Sequence, residues 1–234
     1  RYTQSRNAAQ ARGLGNAYLL AGIANDETNL AMCWSEATWA CQGPNSPDCG
    51  GGPVIAGASD GPCSDQQGGL GMFQFDAGTY TDTIDQYGSD VLTVDGQVGH
   101  AIDYAVNMVK ISDYTTNAET DDKARAWIAN FDPNNATLRD QWISTVVRYY
   151  NGCQPGWDCW SARYQTYSDG PLVKCDESRT GGGAEPQHPA PLLTITPAAG
   201  AYSGATPGSA AAAAPPSAQA GGGVTVTGTG GAYQ

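Results

Sequence analysis

The chain has 234 residues, is 40% hydrophobic with six Trp and twelve Tyr, and carries a formal charge of −12 with a pI near 4.3. So acidic a surface repels nucleic acid and anionic membranes, which argues against both as partners, and it sits poorly with an anionic cell wall. No apolar run reaches the roughly 18–20 residues that cross a bilayer, so no membrane span is expected. Residue 1 is Arg and the first stretch is polar; if the protein is exported, its leader has been removed or omitted.

In chain order, a first helix is predicted between Leu14 and Met32, where Leu19, Leu20, Ile23, Ala24 and Ala31 recur at steps of three and four. Cys33–Gly71 is too broken by Gly and Pro for a helix; disulfide-pinned loops are expected there, with a small hairpin entering Leu70–Phe75. A second helix is predicted over Ala77–Tyr87. A third covers Gly96–Ile111, with Ile102, Ala105, Val106 and Val109 as its stripe, and a fourth covers Asp121–Phe131. A fifth starts near Asn134 or Asn135, either of which can cap it, and shows Leu138, Trp142, Val146 and Tyr150. A short sixth follows Asp158. The fold class is mainly α: a helical domain over residues 1–177 with a small β or irregular lobe. Clefts tend to form between such lobes.

Residues 178–234 read as a disordered tail or linker of Gly, Ala, Pro, Ser and Thr, with runs such as Ala210–Ala214 and Gly221–Gly223. This composition cannot bury enough apolar surface to offset a backbone entropy of roughly 1–2 kcal/mol per residue. The Asn135-Ala136-Thr137 triplet has the form of an N-glycosylation acceptor.

Seven cysteines form no Cys-x-x-Cys pair, and only two His accompany them. No metal or other cofactor is therefore expected. Disulfides in an oxidising, extracellular or periplasmic compartment fit better. Their connectivity is not written in the sequence. Pairing nearest neighbours gives Cys33–Cys41, Cys49–Cys63 and Cys153–Cys159, with Cys175 left as a spare thiol for self-association.

Glu27 lies three and four residues beyond Ala24 and Ile23 and seven beyond Leu20, which places it on the apolar stripe of the first helix. A carboxyl among apolar neighbours keeps its proton to higher pH and can serve as a general acid. Asp26 falls on another face, where solvation is expected. Alternatively, Glu27 merely ends the helix and meets water or an Arg.

Three motifs in order bear on that choice: Glu27-Thr28-Asn29 at a helix end, Gly69-Leu70-Gly71-Met72-Phe73-Gln74-Phe75, and Tyr149-Tyr150-Asn151-Gly152. Together they resemble the goose-type lysozyme and lytic transglycosylase group, within the lysozyme-like superfamily. The middle motif also resembles the goose-type branch in its flanking aspartates, Asp65 and Asp76. The resemblance implies a lysozyme-like α+β fold, Glu27 as catalytic acid, and Asp65 and Asp76 as groups that position or activate water. It also implies substrate contacts from Gly71, Gln74, Tyr150 and Asn151. Gln74 and Asn151 suit the amides of N-acetyl sugars, and glycines 68, 69 and 71 would let backbone approach a sugar. Tyr150 could bond Glu27 or substrate, or simply pack the core; Trp34, Trp39 and Trp157 could stack on sugar rings or pack beside the disulfides.

The expected function is a secreted glycosidase cutting between N-acetylmuramic acid and N-acetylglucosamine in peptidoglycan, or in a related amino sugar polymer such as chitin. The alternative is a catalytically silent lysozyme-like surface protein that assembles through its tail or disulfides.

Overall fold

The computed structural model describes residues 1–37, 40–57 and 68–169. Among them are seven α-helices and one two-stranded antiparallel sheet. The helices are α1 (Tyr2–Ala11), α2 (Tyr18–Thr28), α3 (Tyr80–Tyr87), α4 (Val94–Ile111), α5 (Asp121–Ala129), α6 (Ala136–Thr145) and α7 (Asp158–Asp169). The strands are β1 (Cys41–Asn45) and β2 (Pro53–Ala56). No helix among the described residues is long and apolar enough to cross a membrane. The tail from 178 onward and Cys175 lie outside the described residues.

Helix α4 is the longest, and it packs against α1, α2, α5 and α6. Its predicted stripe of Ile102, Ala105, Val106 and Val109 is buried, together with Val98 and Ala101. The core around it is built from Leu19, Leu20 and Ile23 of α2, Phe73 and Phe75 of the following loop, and Trp142 and Tyr150.

Side-chain caps explain where the helices begin. Thr79, Thr93 and Thr120 each accept a backbone N–H in the first turn of α3, α4 and α5. Asn135 accepts from the N–H groups of Thr137 and Leu138 at the start of α6, so it is the second of the two expected Asn that caps. Helix α3 begins three residues later than expected, because Gly78 adopts φ +112° and the cap falls on Thr79. Helix α7 runs for twelve residues, longer than expected.

Helix α1 was not anticipated. Its sequence is polar and it buries only Tyr2, Ser5 and Ala9, so tertiary contacts hold what propensity does not. Just beyond its end, Arg12 grips Asp95 of α4 through both carboxylate oxygens, at 2.6 and 2.5 Å.

In the β lobe, Cys41 faces Ala56, Gln42 faces Ile55 and Asn45 faces Pro53. The expected hairpin therefore lies earlier, over 41–56. Leu70 bridges both Ala56 and Phe75, which closes the following loop onto the sheet. Cys33 is disulfide-bonded to Cys49, with a Cα–Cα distance of 5.4 Å, and Cys153 to Cys159. The second pair is as expected. The first overturns the nearest-neighbour pairings Cys33–Cys41 and Cys49–Cys63. Cys33 bridges Val54, beside the end of the hairpin whose turn returns Cys49 to it, whereas Cys41 sits at the opposite end of β1. Cys41 is also disulfide-bonded, and Cys63 lies outside the described residues. The Asp48 carboxylate accepts from the Val94 N–H at 2.7 Å, tying that turn to the start of α4.

Candidate functional site

Glu27 occupies the last turn of α2, which Asn29 terminates in a left-handed conformation. As the stripe requires, its side chain turns inward, and the residue is 2% exposed. Oε1 accepts one hydrogen bond, 3.0 Å from the Asn151 side-chain amide; Oε2 has no hydrogen-bond partner among the described residues. Burial pushes the carboxyl up to about 7. Arg163 and the Asn151 amide oppose that rise, and Asp26 adds to it. The C-terminal end of a helix dipole also disfavours an anion. A carboxyl in this state carries its proton near neutrality and can hand it to a leaving oxygen.

Asn151 reaches Glu27 because the chain widens after α6. Residues Val146–Tyr150 form one π-helical turn, and the Asn151 N–H bonds the Val146 carbonyl. The extra residue per turn rotates the Tyr150-Asn151 pair relative to an ordinary helix, and such turns recur at functional sites. Cys153 then anchors the segment to the first turn of α7.

Tyr150 is 1% exposed, and its hydroxyl donates to the Phe73 carbonyl. The Glu27 bond considered for Tyr150 is thus made by Asn151 instead. The same pattern extends through the loop between β2 and α3, where four successive carbonyls are taken by side chains. Gln97 of α4 donates to Leu70 O and Gln74 to Gly71 O, both at 2.8 Å. Thr28 of α2 donates to Met72 O at 2.9 Å, and Tyr150 to Phe73 O. This loop is therefore held by helices from three parts of the chain. A Cβ on Gly71, at φ +69°, would lie 2.3 Å from the Gln97 amide nitrogen, and one on Gly69 would lie 2.2 Å from the Gln74 carbonyl oxygen. These glycines permit close contacts within the protein. Gln74 is fully buried at φ +53°, a conformation rare outside glycine.

Asp76 is 5% exposed and accepts the Gly78 N–H at 2.7 Å, an Asx turn that leads into the α3 cap. Burial raises its carboxyl above the ordinary aspartate value, and the Gly78 N–H works the other way. Among the described residues no hydrogen bond joins it to Glu27. Asp65 and Trp39 lie outside the described residues. Trp34 is half-buried against Ala31, Ala37, Ala40 and Ile55, and Trp157 is exposed.

Asp26 departs from expectation. Its side chain is 4% exposed and lies 2.5 Å from Arg163 of α7, because α7 covers the face of α2 that periodicity alone leaves to water. Arg163 carried no sequence signal, since it belongs to a largely polar helix 137 residues away. Gln97 did carry one: it sits three residues beyond Val94 and four before Ala101, a polar residue on an apolar stripe. No group of three or more His, Cys, Asp or Glu among the described residues is arranged to hold a metal ion.

No family model, no curated protein and no solved structure matches the chain.

Proposed function

We propose that the chain is a secreted glycosidase that cuts the β-1,4 bond between N-acetylmuramic acid and N-acetylglucosamine, with Glu27 as general acid. One observation carries this reading: Glu27 is buried, which pushes its carboxyl up to about 7, and is gripped by Asn151 from a motif 124 residues away. In this reading the neutral carboxyl protonates the glycosidic oxygen as the bond to the anomeric carbon breaks. Water activated by Asp76 or Asp65 then completes hydrolysis. In a transglycosylase the sugar's own hydroxyl attacks in its place. Gly71, Gln74 and Tyr150 frame the site, and Asn151 orients the acid. Disulfides suit export to an oxidising compartment.

A second reading has its own support. Glu27 and Asn151 are 2% and 8% exposed, and the polar contacts of the 70–73 loop are already made within the protein. So closed a site suits a catalytically silent lysozyme-like surface module.

Mass spectrometry of products from peptidoglycan and chitin oligomers separates the two. The expected result is soluble fragments from the wild type and none from Glu27→Gln, with thermal stability intact. Anhydro ends identify transglycosylation and reducing ends identify hydrolysis. Wild type and Glu27→Gln equally inert on both polymers refutes the enzyme reading.

A further inference from the structure

The end of α2 presents two adjacent carboxyls to the interior, Asp26 towards α7 and Glu27 towards the π turn. The cation that meets Asp26 is Arg163, 18% exposed at its side chain, with Nη1 2.5 Å from the Asp26 carboxylate. Among the described residues, the other ionisable groups that act on Glu27 or are acted on by it are the tyrosines Tyr104 of α4, Tyr150 of the π turn and Tyr167 of α7. All three are buried, and none supplies a positive charge.

We propose that Arg163 is a positioning residue for Glu27, acting through its buried ion pair with Asp26. The proposal rests on Glu27 being the acid of the reading above. Its physical basis is a count of charges. One guanidinium and two neighbouring carboxyls gather at the end of α2, so the cluster is electrically neutral only when one carboxyl keeps its proton. Asp26 makes the direct contact with Arg163, so it is the carboxyl whose charge the guanidinium balances at close range. Glu27, with a neutral amide on one oxygen and no hydrogen-bond partner on the other among the described residues, is the member that holds the proton. Ionising Glu27 as well would leave a net negative charge away from water, which is costly. The geometry of α7 keeps this arrangement in place: the Cys153–Cys159 disulfide fixes its first turn two residues beyond Asn151, and Arg163 follows one turn later. One short segment thus positions both the amide that holds Glu27 and the cation that balances the Asp26 charge beside it.

The charge count predicts shifts of opposite sign from the two halves of one ion pair. Removing the cation in Arg163→Met leaves two carboxyls without compensation, so Glu27 should titrate higher. Removing the anion in Asp26→Asn leaves Arg163 to Glu27 alone, so Glu27 should titrate lower. Each shift should be about one pH unit or more. Arg163→Lys retains the charge and should stay near the wild type. The double variant Asp26→Asn/Arg163→Met removes both charges, so a folded reference remains if Arg163→Met alone is too unstable; its Glu27 should titrate between the two single variants.

The measurement is a carbon NMR titration of the full chain labelled at the glutamate carboxyls. The chain has only five glutamates, and the signal missing in Glu27→Gln identifies the relevant one. Opposite shifts, with Arg163→Lys near wild type, support the proposal. Shifts of the same sign, or none in Asp26→Asn, overturn it and leave the ion pair a plain structural contact. Because the readout is ionisation and not cleavage, a chain that cuts no glycan but shows opposite shifts would refute the enzyme reading while showing that the ion pair governs the ionisation of Glu27.

Discussion

Two glutamates nine residues apart show how the α2 terminus differs from the disulfide-pinned turn that follows it. Both lose water on folding. Glu36 meets Arg1 at 2.6 Å and the N–H groups of Met32 and Cys33 at 2.8 and 2.9 Å. Burial alone would raise its carboxyl, but these partners outweigh it and hold Glu36 below the ordinary glutamate value. Glu27 is more deeply buried and has one neutral amide, so burial prevails and its carboxyl rises to about 7. Burial therefore does not decide the protonation state by itself. The number of donors that fold against the carboxyl decides it, and the α2 end is left short of donors while the turn is fully supplied.

The largest expected effect comes from removing the acid. Glu27→Gln should reduce glycan cleavage about 10²–10⁴-fold, the usual contribution of a general acid, in steady-state assays on defined oligomers. Undiminished turnover would reduce Glu27 to a packing residue.

Next comes the pH dependence of stability, where the two glutamates should have opposite signs. Glu27 binds its proton more tightly when folded, so its contribution is complete below about pH 4.5 and is lost as the pH climbs to about 7. The loss is on the order of 3 kcal/mol relative to Glu27→Gln. Urea unfolding of both proteins at pH 4 and pH 8 measures it, and parallel pH profiles would remove the contrast. Glu36 binds its proton less tightly when folded, so its contribution is present above about pH 4.5 and is lost as the pH falls further.

A smaller effect is expected from Asn151→Ala, which takes away the side-chain hydrogen bond to Glu27. It should cost about 1–2 kcal/mol of stability and raise the pH at which Glu27 titrates, since that bond favours the ionised form. A titration moving downward instead would show that the amide holds the neutral acid. The smallest effect belongs to Glu36→Gln. Its ion pair with Arg1 is partly exposed, so the pair itself contributes below about 1 kcal/mol, visible only as a slight shift in the denaturation midpoint at neutral pH and none at pH 3.

Much of the helical frame was legible in the chain. The α4 stripe, the Asn135 cap and the inward face of Glu27 follow from local spacing, because a helix repeats every 3.6 residues whatever surrounds it. The Cys153–Cys159 bridge was legible for a similar reason, as its short separation leaves few alternatives nearby. Helix α1 was not, since three small contacts and an Arg12–Asp95 grip hold a segment with no apolar stripe. The Cys33–Cys49 pairing was missed because a hairpin turn, not sequence distance, brings those two cysteines together.

The sequence alone determined that Glu27 points into the protein, since the helical repeat places it in line with Leu20, Ile23 and Ala24. Only the tertiary structure decided what it finds there. Asn151, Asp26's partner Arg163 and the tyrosines arrive from segments more than seventy residues away, and no local pattern encodes which long-range donor reaches a given carboxyl oxygen. The protonation of a buried acid depends on that arrival, because in a low dielectric a single missing or added partner outweighs everything written in the helix itself.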